Sequence, residues 1–292
     1  MDRRQELVGV PIVRAAGLSI AVALCVASVA TADGPRPFLF LKTGEKFATQ
    51  ETAGPTVAGL TAYVGEKVAG TTNAFEPRVM NEPVKAAEYC GKSKPSLGIV
   101  TPGFYLAYAK ALGMEPLLET KRAGLKEERF VLVAQKDAGD DLAKFHGKTI
   151  ATPLADEQWY VIAVVLQGKL GEEIRLKPTM DVEGAVFDLA EGGKNAADAV
   201  LLETAAWDLF KDDPDSGGKL KVVYQSDELP RDLLVAFGTN GGTVDTDKVK
   251  QVLKALSGSE SGQKILRSIQ VESFVDIDQN RLSKAEKLFH GK

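Results

Sequence analysis

Short, wholly apolar runs alternate along this chain with longer stretches whose apolar residues recur every three or four positions. "PFLFL" (37–41) is the first such run, and Val57, Leu60, Val64 and Val68 then share one face of a helix expected to begin near Thr56. A continuous apolar run of four to six residues suits a strand buried on both faces, and helical spacing suits a helix lying on it. The alternation persists through "FEPRVM", "PVKAAEYC", "PSLGIV" and "FYLAYAKAL". A second series starts at "RFVLVAQ" (129–135) and continues through "KTIAT", "QWYVIAVVLQGKL", "IRLKP", "DVEGAVFDLAEG", "DAVLL", "ETAAWDLFK" and "KLKVVYQ". "DLLVAFG" (232–238) reads as a return strand, and "DKVKQVLKAL", "GQKILRSI" and "RLSKAEKLFHG" make the tail helical. Strands separated by helices predict an α/β protein with parallel sheets and helices on their faces.

The first 32 residues stand apart. Arg3, Arg4 and Arg14 precede "AAGLSIAVALCVASVA" (15–30), and "ATA" (30–32) is a small-x-small cleavage site, the order of a secretory signal peptide. The run falls short of the roughly 20 apolar residues a membrane-spanning helix needs. The remaining 260 residues, 33–292, suffice for one large domain or two lobes. Removing Asp2, Arg3, Arg4, Glu6 and Arg14 takes the formal charge from −4 to −5, a balance unsuited to coating nucleic acid or anionic lipid. Cys90 alone remains after processing, so stability must come from a packed core rather than from an internal disulfide.

Enzyme signatures are missing. His146 and His290 have no partners at metal-ligand spacing, and no GxSxG, phosphate loop or GxGxxG sits between a strand and a helix. The sequence therefore predicts no catalytic residues, no metal and no cofactor.

Four stretches, in order, resemble the periplasmic substrate-binding proteins of the phosphate/phosphite/phosphonate ABC importer family. They are "PSLGIVTPGFYLAYAKALGMEPL", "RFVLVAQKDAGDDLAKFHGKTIAT", "VFDLAEGGKNAADAVLLE" and "GQKILRSIQVESFVDIDQNRLSKAEKLF", together spanning about residues 95–290. The resemblance implies a two-lobed type II periplasmic-binding-protein fold with two crossing strands and an inter-lobe cleft. Lobe one would hold 36–128 plus 233–292, and lobe two 129–232. It further implies an exported, periplasmic, monomeric receptor that captures a small-molecule solute between hinged lobes and delivers it to an ABC permease in the inner membrane. The alternative in the same compartment is a sensor or accessory subunit docked on a membrane kinase or redox complex.

Ligands of open α/β sheets bind beyond the carboxyl ends of strands, where helices begin. That rule selects Thr43 and Gly44, Thr101, Thr152 with Asp156, Glu203, and Ser226 just before the return strand. Tyr105 joins them as the cleft tyrosine that the resemblance implies; as residues alone it also reads as a half-buried aromatic on an amphipathic helix. Trp159 and Trp207 read as ligand-stacking or as lobe packing.

The corner "ATPLADEQW" departs from an anion site. A helix N-terminus holds an anion through unpaired N–H groups, yet Pro153 has none and Asp156 and Glu157 bring carboxylates. Capping is assigned to Glu157, and for Asp156 both capping and ligand contact stay open. Two unit charges about 5 Å apart at an effective dielectric near 20 interact by roughly 3 kcal/mol. One unpaired carboxylate would thus weaken an anion roughly a hundredfold, unless Lys42 or Lys46 compensates. Glu45, Asp156, Glu157, Glu203 and Asp227 at the corners favour an amine-bearing, zwitterionic or neutral ligand over plain phosphate.

Overall fold

The structure is a computed structural model describing residues 34–45, 48–139, 141–171, 173–193, 196–238 and 244–291. The expected leader and Lys46 lie outside the described residues. Elements run β1 (Arg36–Leu41), α1 (Gln50–Ala69), β2 (Phe75–Met80), α2 (Pro83–Ser93), β3 (Leu97–Val100), α3 (Pro102–Leu112) and β4 (Met114–Arg122). Next come β5 (Phe130–Gln135), β6 (Thr149–Thr152), α4 (Gln158–Tyr160), β7 (Arg175–Pro178), α5 (Val182–Glu191), β8 (Ala199–Glu203), α6 (Thr204–Phe210) and β9 (Leu220–Gln225). The chain ends with β10 (Leu233–Phe237), α7 (Thr246–Ala255), α8 (Glu260–Ser268), β11 (Val271–Val275) and α9 (Gln279–His290).

Two sheets form, ordered β11-β4-β10-β3-β1-β2 and β7-β6-β8-β5-β9. The expectation of parallel sheets needs correction, because both are mixed. β1, β2 and β3 pair in parallel, as do β6, β7 and β8, but β10 runs antiparallel to β3 and β4, and β5 antiparallel to β8 and β9. The chain passes from the first sheet to the second between Arg122 and Phe130 and returns between Gln225 and Leu233, so the returning β10 enters the first sheet against the direction of its neighbours.

Two strands and two helix boundaries differ from the sequence expectation. β4, "MEPLLETKR", carries Pro116 at a register shift against β10, where a missing N–H is tolerated. β11, "VESFV", interrupts the expected helical tail and adds an edge strand to β4. α1 begins at Gln50, six residues before Thr56, because Thr49 and Thr52 form a reciprocal capping box that outweighs Pro55 inside the helix. Beyond Tyr160, residues Val161–Val165 form a π-helical turn in place of the long helix expected there. All five are buried, and the turn packs against α9 while α4 meets α3.

Strands buried on both faces organise the interior. Phe38 and Phe40 of β1 face a cluster with α1, α7 and α8, while Leu39 and Leu41 face another that continues through Leu132 of β5 and Ile150 of β6. β8 alternates likewise, with Leu201 in the shared cluster and Val200 and Leu202 packed under α5 and α6. Fully burying one such side chain stabilises the fold by roughly 1.5–3 kcal/mol. Cys90 of α2 belongs to the shared cluster, buried with Ala86. Among the described residues, no helix is long and apolar enough to cross a membrane.

Candidate functional site

The carboxyl ends of strands from both sheets meet at one place. Thr43 follows β1, and Thr101 follows β3 as the N-cap of α3, its hydroxyl accepting from the Phe104 N–H at 3.3 Å. Both hydroxyls donate to a single oxygen, Glu157 Oε1, at 2.7 Å from Thr43 and 2.5 Å from Thr101. Glu157 comes from the other sheet's side, at the end of a short 3-10 turn (Ala155–Glu157) after β6. It is 7% exposed, and its Oε2 is buried without a hydrogen-bond partner. Burial dominates its titration and, against the two hydroxyls, pushes the carboxyl up to about 7. Gly44, at φ +77°, closes onto Pro153 so tightly that a β-carbon would strike the Pro153 carbonyl.

Beside this contact opens a cavity of about 410 Å³, lined from both sheets and both crossing segments. Its cations are Lys42, Arg122 and Arg231, and its carboxylates Glu45, Glu128, Glu157, Glu203 and Asp232. Each cation is engaged. Lys42 pairs with Asp232 at 3.1 Å, and Asp232 holds its ammonium above the usual lysine range. Arg122 pairs with Glu128 at 2.5 Å and with Glu203 at 2.8 Å. Arg231 donates to the Lys126 carbonyl at 3.1 Å. Apolar walls come from Phe130, Leu154, Tyr160, Met180, Val182 and Leu202. A second cavity of about 370 Å³ adjoins it, sharing Lys42, Glu45, Arg122 and Asp232.

Of the residues expected from sequence, Thr43, Gly44, Thr101 and Glu203 line the larger cavity. Glu203 occupies the N-cap position of α6 but makes no capping bond, its carboxylate accepting from Arg122 instead. Thr152 is fully buried behind the wall, its hydroxyl accepting from the Leu154 N–H at 3.3 Å. Tyr105 is buried in the shared apolar cluster. The Ser226 hydroxyl accepts from the Phe130 N–H and donates to the Asp227 carbonyl, tying β5 to the returning segment. None of these three lines the cavity.

At the Thr-Pro corner the capping role expected of Glu157 needs correction, since it makes no capping bond. Asp156 is exposed and Glu157 turned inward. The physical reason is the tight 3-10 turn, which rotates successive side chains differently from the first turn of an α-helix. Trp207 is buried under the second sheet, and Trp159 is 55% exposed. Arg122, Glu128, Arg231 and Asp232 were invisible as site residues; their one signal is that they flank the two passages between sheets. Among the described residues, no group of three or more His, Cys, Asp or Glu side chains is placed to hold a metal ion.

Gly103 makes the contact possible, since a β-carbon there would collide with Glu157 Oε2 and touch Tyr160 Cβ at 3.0 Å. Gly103→Ala is expected to lower stability by about 1–3 kcal/mol through overpacking. Gly91→Ala in α2, where nothing lies within 4 Å, should raise it by about 0.5–1 kcal/mol. Scanning calorimetry of the two variants checks the contrast.

Residues 48–282 match the family described as ABC transporter, phosphonate, periplasmic substrate-binding protein. The chain belongs to that family. Its members are solute-binding proteins of ABC transporters that act in the periplasm. No curated protein sequence matches closely enough to count as a relative. Among solved structures, chloride-bound XAC2383 from Xanthomonas citri superposes with a TM-score of 0.68 at 13% identity, over 89% of this chain and 98% of that one. The same protein bound to ATP gives 0.64 at 14% identity, over 88% and 98%. A binding protein component of an ABC phosphonate transporter, PA3383 from Pseudomonas aeruginosa, gives 0.61 at 15%, over 88% and 86%. PhnD1 from Prochlorococcus marinus in complex with methylphosphonate gives 0.58 at 13%, over 87% and 97%. These matches show the two-lobed type II periplasmic-binding-protein fold.

Proposed function

We propose that this family member is an exported receptor that takes an amine-bearing, zwitterionic or neutral organic solute between its lobes and delivers it to an ABC permease. Residues 1–32 serve as its signal peptide, 36–128 with 233–292 form one lobe, and 129–232 the other. The observation that carries the ligand class is the charge of the cavity, where five carboxylates face three cations that already have partners. A bare oxyanion would meet more carboxyls than cations, with Lys42 and Arg122 already held in ion pairs and Arg231 donating to a backbone carbonyl. A cavity of about 410 Å³ also falls within the range of roughly 300–1,000 Å³ that encloses drug-sized organic ligands.

The test is a thermal-shift panel on the purified chain with amino acids, polyamines, aminophosphonates, ATP, methylphosphonate, sulfonates and phosphate. A ligand at 100 times its Kd adds about 2.7 kcal/mol, or roughly 5–10 °C for a chain of this size. Shifts are expected from compounds carrying an amine. A comparable shift from plain phosphate would overturn the ligand class, and none from any compound would count against a receptor role.

A further inference from the structure

We infer that the Glu157 carboxyl is seated in the cleft's own hydroxyl cradle, where it determines specificity by keeping anionic headgroups out of that seat. This deepens the receptor reading above and rests on it. Two hydroxyls from different loops converge on one oxygen, with Thr43 Oγ1 at 2.7 Å and Thr101 Oγ1 at 2.5 Å from Glu157 Oε1. Thr101 also caps α3, an eleven-residue helix whose N-terminus favours negative charge. An oxygen that accepts two O–H donors beside a helix N-terminus has the surroundings of a bound oxyanion. Here the oxygen belongs to the protein.

The second, independent observation is the other carboxylate oxygen. Oε2 is buried without a hydrogen-bond partner and lies against Gly103, the one residue type whose missing β-carbon leaves room for it. A carboxylate present only to cap its own turn would face water, as Asp156 does. Glu157 instead spans from one sheet's strand ends to the other's, the place a ligand's acidic group would take. While it sits there, an incoming phosphonate has neither hydroxyl donor, and it faces a like charge wherever the carboxyl is ionised.

Removing the carboxylate should free the cradle. Glu157→Ala, titrated calorimetrically at about pH 8 with methylphosphonate as probe, is expected to bind at least about a hundredfold more tightly than the wild type, because the like charge and the two occupied hydroxyls are relieved together. Glu157→Gln removes the charge but keeps the seat filled, so it should gain clearly less, and equal gains in the two variants would overturn the seat. Adding Thr101→Val to Glu157→Ala should bring the gain back towards the Glu157→Gln level. Should the alanine variant fail to fold, Glu157→Ser carries the same test, and misfolding of both overturns the assignment, since a specificity residue is dispensable for folding.

A folded alanine variant without the gain overturns it as well, and so does wild-type binding of methylphosphonate as tight as the variant's. The two readings fail separately. An amine ligand bound by the wild type with no gain in Glu157→Ala leaves the receptor standing and removes the seat. A gain in Glu157→Ala when the wild type binds nothing in the panel leaves the seat standing and removes the proposed ligand class.

Discussion

Arg281→Ala should lower stability by about 3–5 kcal/mol, the cost of stripping a buried carboxylate of its cation, and the melting temperature by roughly 10 °C. Arg281, in the first turn of α9, is 11% exposed and donates to Glu119 Oε2 at 2.7 Å. It also bonds Glu228 and lies 3.7 Å from Asp278. Glu119 is 1% exposed in the middle of β4, and its Oε1 has no partner. Burial raises the Glu119 carboxyl above its ordinary value, and Arg281 opposes that rise. Without the guanidinium the carboxylate must either stay charged in a dry site or take up a proton. The loss should therefore shrink in the double variant Arg281→Ala with Glu119→Leu, because removing both members of a buried pair costs far less than removing one. Urea denaturation of the two singles and the double closes the cycle. A single-variant loss below about 1 kcal/mol would mean that the pair holds nothing together.

The second large effect is on pH dependence. Glu157 titrates near 4.5 when exposed and is pushed up to about 7 in the folded chain, chiefly by burial. Thr43, Thr101 and Lys42 pull it down, whereas Asp232 pushes it up. Between those values the folded protein holds a proton that the unfolded chain has released, so stability falls as pH rises. The contribution is fully present below about 4.5 and lost on passing through about 7, and amounts to about 3 kcal/mol at 1.4 kcal/mol per unit. Asp227 and Asp278 are lowered by their partners and act oppositely, losing their contribution as pH falls through their own range. Comparison with Glu157→Gln isolates the effect, since that variant should show no decline between pH 5 and 8 of this origin. Parallel urea melts of the two proteins across that range would expose a wrong assignment as two curves with one slope.

Much of the architecture was readable because the decisive strands are apolar on both faces. β1, β3, β5 and β8 need no partner information to be recognised, and the helices between them follow from spacing. β4 escaped because Pro116 and its charged residues break the strand pattern, and only pairing with β10 across a register shift makes a strand of it. β11 escaped because five residues between two helices carry too little periodicity to register.

Of the residues that the strand-end rule selects, Thr43, Gly44, Thr101 and Glu203 line the cavity, since helix starts at strand ends are where polar groups converge. Thr152 lies one position behind the wall, and the Ser226 hydroxyl bonds to the backbone. The inward turn of Glu157 could not be read, because three residues of 3-10 turn have no periodicity to fix their phase. Arg122 with Glu203, 81 residues apart, and Lys42 with Asp232, 190 apart, are products of tertiary closure that no local pattern encodes.

The lone thiol of α2 has a bearing on life outside the cytoplasm. Its surroundings push the Cys90 sulfhydryl up to about 12, so at neutral pH only about one molecule in 10⁵ carries the nucleophilic thiolate. Buried and protonated, it offers oxidants and foreign disulfides almost nothing to react with. The folded receptor can therefore keep an unpaired sulfur in an oxidising compartment without being stitched to its neighbours.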